Sequence, residues 1–371
     1  MFTEIELESF SLQNRLARSA TAERGADAKG RVTSELIELY RALASGGVGL
    51  ITTGHTYIRR DGRTSNTMTG AHSDDMIPGL SKIAKVVHRN SDVRILLQIN
   101  HTGRAASEAV IGTNPVAPSP IPVKFSQQRV RQLSSDETEE LTEDYILAAL
   151  RAQEAGFDGV QLHCAHGYLI SQFLSPYTNK REDKWGGSPE NRRRFLFGII
   201  SEIQDRAPDF PITIKINCED LVADGVTLEE FAETCLQLEG MGVEAIEVSA
   251  GIPESAGKIV RRNIRFPEEE GYLLYGARFL KDAGIRIPVI TVGGYRTKHI
   301  CQDVLDRGDA DIISLSRPLI TEPDLPRKWQ EGESERSRCV SCNRCLMLKN
   351  EITHCVYWEK EKTGETTGKD N

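Results

Sequence analysis

The chain has 371 residues, 39% of them hydrophobic, with a net charge of −8 and a pI near 5.6. That is material for one large or two average domains, and an acidic balance with dispersed cations argues against a nucleic-acid or anionic-membrane surface. No run is apolar enough to span a bilayer, and the charged opening MFTEIELESF is unlike a signal peptide, so a soluble, cytoplasmic protein is expected.

In chain order, residues 1–15 alternate like a small hairpin that could close one end of a barrel. Apolar β-type runs follow at 15–21, 48–54, 94–100, 159–164, 212–217, 245–250, 288–294 and 310–316. Near-continuous apolar runs suit strands covered on both faces, as in a parallel sheet. Amphipathic helical patterns fill the gaps: SELIELYRALASGG opens at a Ser34 cap, and 137–157, 191–205 and 228–242 keep the same period. Eight β/α alternations predict an α/β fold, a (β/α)8 TIM barrel, because consecutive parallel strands need helical crossovers. An open doubly wound sheet is the alternative, and the lack of GxGxxG after any strand counts against it.

The irregular stretches 101–135, 164–190 and 251–266 all follow strands, and in a barrel they share the C-terminal rim where active sites gather. Beyond about 318 the repeat ends. Residues 1–330 are assigned to the barrel and 331–371 to a cysteine-rich extension with a frayed, charged tail.

Two constellations carry chemistry. The first is HCAHGY, with His163, His166 and Tyr168 at the end of the fourth strand. Two imidazoles can aim N–H groups at one acceptor, and the phenol can deliver a proton. Read alone, the pair is better explained as satisfied core or surface histidines. A metal site is poorly served, since only two ligands are evident and no acid stands at metalloprotease spacing. The second is Cys339, Cys342, Cys345 and Cys355, spaced C-x2-C-x2-C-x9-C, which points to metal or redox work. A [4Fe–4S] cluster leads, with structural zinc and unliganded thiols as alternatives. Cys164, Cys218, Cys235 and Cys301 sit singly in apolar patterns and read as small buried hydrophobes.

The whole stretch HCAHGYLISQFLSPYTNKREDKWGGSPENRRRF, 163–195, resembles the signature of the old yellow enzyme family of FMN-dependent ene-reductases. The likeness is to its bacterial branch, which includes 2,4-dienoyl-CoA reductase and trimethylamine dehydrogenase, and it runs colinearly to about residue 330. The resemblance implies FMN across the barrel mouth, NADH or NADPH as hydride donor, and an activated alkene as the small-molecule substrate. It gives His163 and His166 the substrate's oxygen and makes Tyr168 the proton donor. By the same likeness Ser19, Ala20, Thr21, Gly54, His55, Gln98 and Lys215 hold the flavin ring, and Gly293, Gly294, Ser316 and Arg317 its phosphate. A homo-oligomer is implied as well. Relatives with the cysteine pattern continue into further domains, so if the cluster is present its electrons are expected from NAD(P)H at the FMN face or from an electron-donor partner subunit. Two positions depart from the family pattern: Ala22 replaces a common Thr or Cys, and Arg24 stands near a common tyrosine. Amine oxidation within the same family, a cluster-carrying electron-transfer subunit and a metal-dependent hydrolase are the competing functions.

Overall fold

The apolar runs become strands β1 (Leu16–Arg18), β2 (Leu50–Thr52), β3 (Arg94–Asn100) and β4 (Gly159–Cys164). They continue as β5 (Ile212–Asn217), β6 (Ala245–Ser249), β7 (Val289–Val292) and β8 (Ile312–Leu315). This is a computed structural model, and it describes residues 1–362 except 91, 125 and 350; most of the expected frayed tail lies outside the described residues. Each strand pairs in parallel with the next, and β8 pairs with β1, so the sheet closes into the expected (β/α)8 barrel.

A barrel helix follows each strand, with further short helices in the loops: α1 (Ser34–Ser45), α2 (Ile77–Val87), α3 (Ser135–Glu154) and α4 (Pro189–Arg206), then α5 (Leu228–Gly240), α6 (Leu274–Asp282), α7 (Lys298–Asp306) and α8 (Leu325–Glu331). The cap of α1 is Thr33 rather than Ser34. Its side chain accepts from Leu36 N, and Ser34 is already helical. α3 begins earlier than its apolar pattern does, because Ser134 and Glu137 form a reciprocal capping box. Pro189 opens α4 after the Ser188 cap, where its missing N–H costs nothing. No helix among the described residues is long and apolar enough to cross a membrane.

Successive strand residues face opposite ways. Leu16, Ile51, Ile95, Val160, Ile214 and Ile246 therefore join the main core, shared with the buried faces of the helices. Ala17, Leu50, Leu96, Ala245, Ile290 and Ile312 form a second cluster with Leu7 and Leu12 of the N-terminal hairpin, Ile5–Glu6 paired with Ser11–Leu12. The hairpin thus packs on the barrel's inner layer. Two residues further along the strands, Ser19, Gln98, Gln161 and Glu247 continue these inward faces, so the interior turns polar towards the C-terminal mouth. The extension lies against that mouth: Asn263 N donates to Ser341 O at 2.9 Å, Arg317 Nη1 to Asn343 Oδ1 at 2.6 Å and Thr353 N to Glu23 O at 2.7 Å.

Candidate active site

Two adjoining cavities open at the C-terminal mouth. One, of about 100 Å³, is lined by His55, Gln98, His163, His166, Tyr168 and Lys215, over the turn Ala20–Thr21–Ala22. The other, of about 180 Å³, shares Ala20, Thr21, Ala22, His166 and Lys215 with it and runs out to Ser316, Arg317 and Gly294. Most residues singled out from the sequence therefore meet in one place.

The imidazoles converge because the chain turns sharply after β4. His166 has φ +60° and Gly167 φ +70°. A side chain at Gly167 would strike Pro253 and Ile252 of the loop after β6, so glycine is required there. The rings of His163 and His166 stand 5.2 Å apart, and that of Tyr168 lies 4.9 Å from His163. Ala165 N donates to His163 Nδ1 at 3.3 Å, which leaves the ring proton on Nε2. His166 Nε2 bonds Ser249 Oγ at 2.7 Å, and the His166 backbone N–H donates to Asn217 Oδ1 at 3.1 Å. Burial holds His163 well below the usual histidine range and brings His166 to about 3, with Lys215 and His55 adding to both shifts. Both rings are therefore neutral donors at neutral pH. Tyr168 stacks on His55 with ring centres 5.4 Å apart. Burial raises the phenol's pKa, Arg24 opposes that shift, and the hydroxyl has no protein partner among the described residues. It is an acid that stays protonated until something takes its proton.

Beneath the rings runs a buried polar chain. Gln98 Nε2 donates to Gln161 Oε1 at 2.7 Å, and Gln161 Nε2 donates to Glu247 Oε2 at 3.1 Å. Glu247 Oε1 accepts from Ser19 Oγ at 2.6 Å and from Lys215 Nζ at 3.0 Å, and Lys215 also reaches Ser19 Oγ at 2.8 Å. Burial opposes ionisation of Glu247, but the Lys215 ammonium and the hydrogen bonds prevail and lower its pKa. Strand register explains the meeting: Lys215 on β5 lies level with His163 on β4 and Glu247 on β6.

At the far end Arg317 donates to Arg261 O at 2.8 Å, and Thr21 Oγ1 and Ser316 Oγ are 2.9 Å apart. Arg296, which sequence reasoning missed, lines the same cavity, buried and bonded to the carbonyls of Cys339 and Ile264. Its Nε, 4.0 Å from Glu270 Oε1, and the Ser341 hydroxyl are buried polar atoms without a hydrogen-bond partner. Orphaned donors beside a second arginine suit a phosphate, while an amide and an ammonium at the inner end suit the polar edge of a flavin ring. The residues present fit FMN.

Two expected contacts lie elsewhere. Gly54 lines neither cavity; Glu23 takes its N–H at 2.7 Å, and a Cβ there would overlap the Glu23 carboxylate. Gly293, at φ +151°, also stays outside the lining, its carbonyl accepting from Gly271 and Tyr272.

The cysteine segment differs from its expectation too. Among the described residues no three histidine, cysteine or carboxylate side chains are grouped to hold a metal, so Cys339, Cys342, Cys345 and Cys355 are not drawn into a cluster shell. The backbone here is set by the rim instead, through Arg296, Arg317 and the left-handed Ser341 and Asn343. The thiols still sense one another: burial first, then Cys339, with contributions from Cys342 and Cys355, pushes Cys345 up to about 11. Cys164, Cys218, Cys235 and Cys301 are buried and free, as read from the sequence.

The fold is a closed (β/α)8 barrel whose C-terminal mouth carries an arginine-lined pocket at one end and a polar Gln98–Lys215 edge at the other. The chain belongs to the NADH:flavin oxidoreductase / NADH oxidase family, which matches residues 1–336. It is 38% identical over 347 residues to an NADH oxidase of Thermoanaerobacter brockii, covering 92% of this chain and 52% of that protein. To a metal reductase of Desulforamulus reducens it is 36% identical over 349 residues, covering 93% and 51%. The chain thus spans about half the length of these curated relatives. A solved 2-naphthoyl-CoA reductase, in complex with 2-naphthoyl-CoA, superposes with a TM-score of 0.88 at 29% identity, covering 95% of this chain and 56% of that one.

Proposed function

We propose that this protein is an FMN-dependent reductase that takes hydride from NADH or NADPH and reduces an activated C=C bond, in an α,β-unsaturated carbonyl or enoyl thioester. The carrying observation is that two neutral imidazoles and a free phenol line the cavity that also holds the Gln98 and Lys215 edge. FMN, when bound, supplies the hydride chemistry. The protein's part is orientation and charge. Gln98, Lys215 and the Ser19–Thr21 turn hold the ring; Arg317, Arg296, Ser316 and Gly294 hold the phosphate. His163 Nε2–H and the His166 ring donate to the substrate's carbonyl oxygen, where negative charge grows as hydride arrives at the β-carbon. Because they are neutral, they stabilise that charge without giving up their protons. Tyr168 then donates its hydroxyl proton to the α-carbon. His55 steadies the phenol by stacking.

In this reading the four extension cysteines hold a [4Fe–4S] cluster, a proposal that rests on their C-x2-C-x2-C-x9-C spacing. A partner subunit is then an alternative electron source to the nicotinamide.

The functional test begins with mass spectrometry of the cofactor released from purified protein by heat; absence of FMN would end the reading. Tyr168→Phe is expected to slow alkene reduction about 100-fold or more while nicotinamide still reduces the flavin at the wild-type rate. Equal alkene turnover in the variant removes the phenol's role. Iron and sulfide assays on anaerobically purified protein decide the cluster, with stoichiometric zinc or bare thiols as the contrary results.

A further inference from the structure

Next to the imidazoles a third cavity, of about 150 Å³, opens between Arg24, His55, Thr64, Ser65, Thr69 and Tyr168. Cavities of this size accept a benzene-sized ligand. It shares Ala22, His55 and Tyr168 with the cavity that holds His163 and His166, so a molecule bound at the imidazoles can extend into it.

The lining is chemically one-sided. The Arg24 guanidinium meets only neutral acceptors, Thr353 Oγ1 and Leu346 O, each at 3.3 Å, and makes no ion pair among the described residues. The carboxylate in the lining, Glu23, is already taken: Arg18 Nη2 lies 2.8 Å away, Tyr40 Oη 2.6 Å and Gly54 N 2.7 Å. Besides His55 the other polar groups are hydroxyls: Thr64 donates weakly to Met68 Sδ, Ser65 pairs with Thr67, and those of Thr69 and Tyr168 are unengaged among the described residues. Arg24 itself sits at φ +54°, a conformation disfavoured for a side chain of its size, and its two bonds to the extension help to hold it there. A half-buried cation with no ion pair among the described residues, beside a carboxylate that Arg18 already holds and hydroxyls able to donate, lacks one thing, an anion of its own.

We propose that Arg24 is a specificity-determining residue that selects activated alkenes carrying a carboxylate. The carboxylate would seat against the guanidinium and the neighbouring hydroxyls while the conjugated carbonyl meets His163 and His166. The inference rests on the functional reading above and narrows it to one substrate class. The cavity's volume favours a carboxylate on a small molecule over a bulky phosphorylated tail.

The test uses the FMN-loaded protein and two matched pairs: trans-4-oxo-2-pentenoate with its methyl ester for turnover, and 4-oxopentanoate with its methyl ester for calorimetric binding without reaction. The wild type is expected to favour each acid over its ester by about 10- to 100-fold, the scale of a charge-assisted hydrogen bond. Arg24→Gln should erase that preference by weakening the acids more than the esters, and Arg24→Lys should keep part of it. Flavin reduction by nicotinamide should be unchanged in both variants, and the acid-to-ester ratio is the readout because Arg24 also bears on the Tyr168 phenol that serves both substrates. Equal use of acid and ester by the wild type, failure to bind either, or a proportional loss of both in Arg24→Gln overturns the proposal. If the alkene chemistry is wrong, turnover vanishes for every substrate, yet the calorimetric acid preference still reports on Arg24.

Discussion

Replacing Glu247 by Gln isolates the buried polar chain under the site. Glu247 and Lys215 are 1% and 4% exposed, and the ammonium's two partners are the Glu247 carboxylate at 3.0 Å and the Ser19 hydroxyl at 2.8 Å. Removing one member of a buried pair typically costs about 3–5 kcal/mol, because the survivor keeps its desolvation penalty. A glutamine preserves the volume and one acceptor oxygen, so the lower end, about 3 kcal/mol, is expected. At about 2–4 °C per kcal/mol for a large domain, the melting temperature of the FMN-free protein should fall by roughly 6–12 °C. The sign with pH is also fixed. Glu247 has a pKa lowered in the folded state, so its contribution is complete above the unfolded carboxylate value and is lost as pH falls through the folded one. The gap between wild type and variant should therefore be constant from about pH 5 upward and close in acid. A second readout concerns the cofactor. With the carboxylate gone, Lys215 is left without an opposing charge at the mouth, and the reduction potential of the bound flavin should rise. Scanning calorimetry over a pH series and dye-equilibrated photoreduction measure the two effects. An FMN-free variant as stable as wild type, or a potential that falls, would refute the assignment of Glu247 as the counter-charge that positions Lys215.

Two further outcomes follow from the same geometry. His163 and His166 are held neutral by burial, so below the unfolded histidine pKa near 6.5 the unfolded chain binds protons that the native protein does not. Stability should drop on acidification by up to about 1.4 kcal/mol per pH unit for each ring, and His166→Asn should reduce that slope between roughly pH 3 and 6; denaturant titrations showing identical slopes would contradict it. Gly54→Ala should be strongly destabilising although Gly54 touches neither cavity, because a methyl group there displaces Glu23 from Arg18, Tyr40 and the Gly54 amide. A loss of about 3–5 kcal/mol is expected, seen as a lower urea midpoint at unchanged slope, and a loss under 1 kcal/mol would contradict it.

The barrel was legible because burial on both faces leaves a coarse mark, eight apolar runs with amphipathic helices between them. The ends of those elements were less so. α1 and α3 start where a hydroxyl can cap the helix, and Thr33 and Ser134 lie just outside the apolar period. His163, His166 and Tyr168 could be found because three chemical groups lie within six positions of a rim loop. The glycine character of Gly54 serves a close approach to Glu23, and nothing local in the sequence distinguishes that from approach to a cofactor.

The polar layer beneath the mouth did leave a signal. RILLQIN, GVQLHC, ITIKIN and AIEVSA each set a large polar side chain between apolar neighbours: Gln98, Gln161, Lys215 and Glu247. A buried strand tolerates such a residue only if a partner waits across the barrel, so four interruptions at comparable depth predict one another. Arg24 and Arg296 show where such reasoning stops. Their partners come from the extension, Leu346 and Thr353 for one and the Cys339 carbonyl for the other, more than forty residues away in sequence. Only the folded chain brings the extension to the rim. The cysteine segment accordingly shapes two pockets through its backbone and hydroxyl groups, whatever its thiols hold. Loosening that segment should therefore disturb Arg24 and the phosphate end together, and leave the Lys215–Glu247 pair in the barrel interior intact.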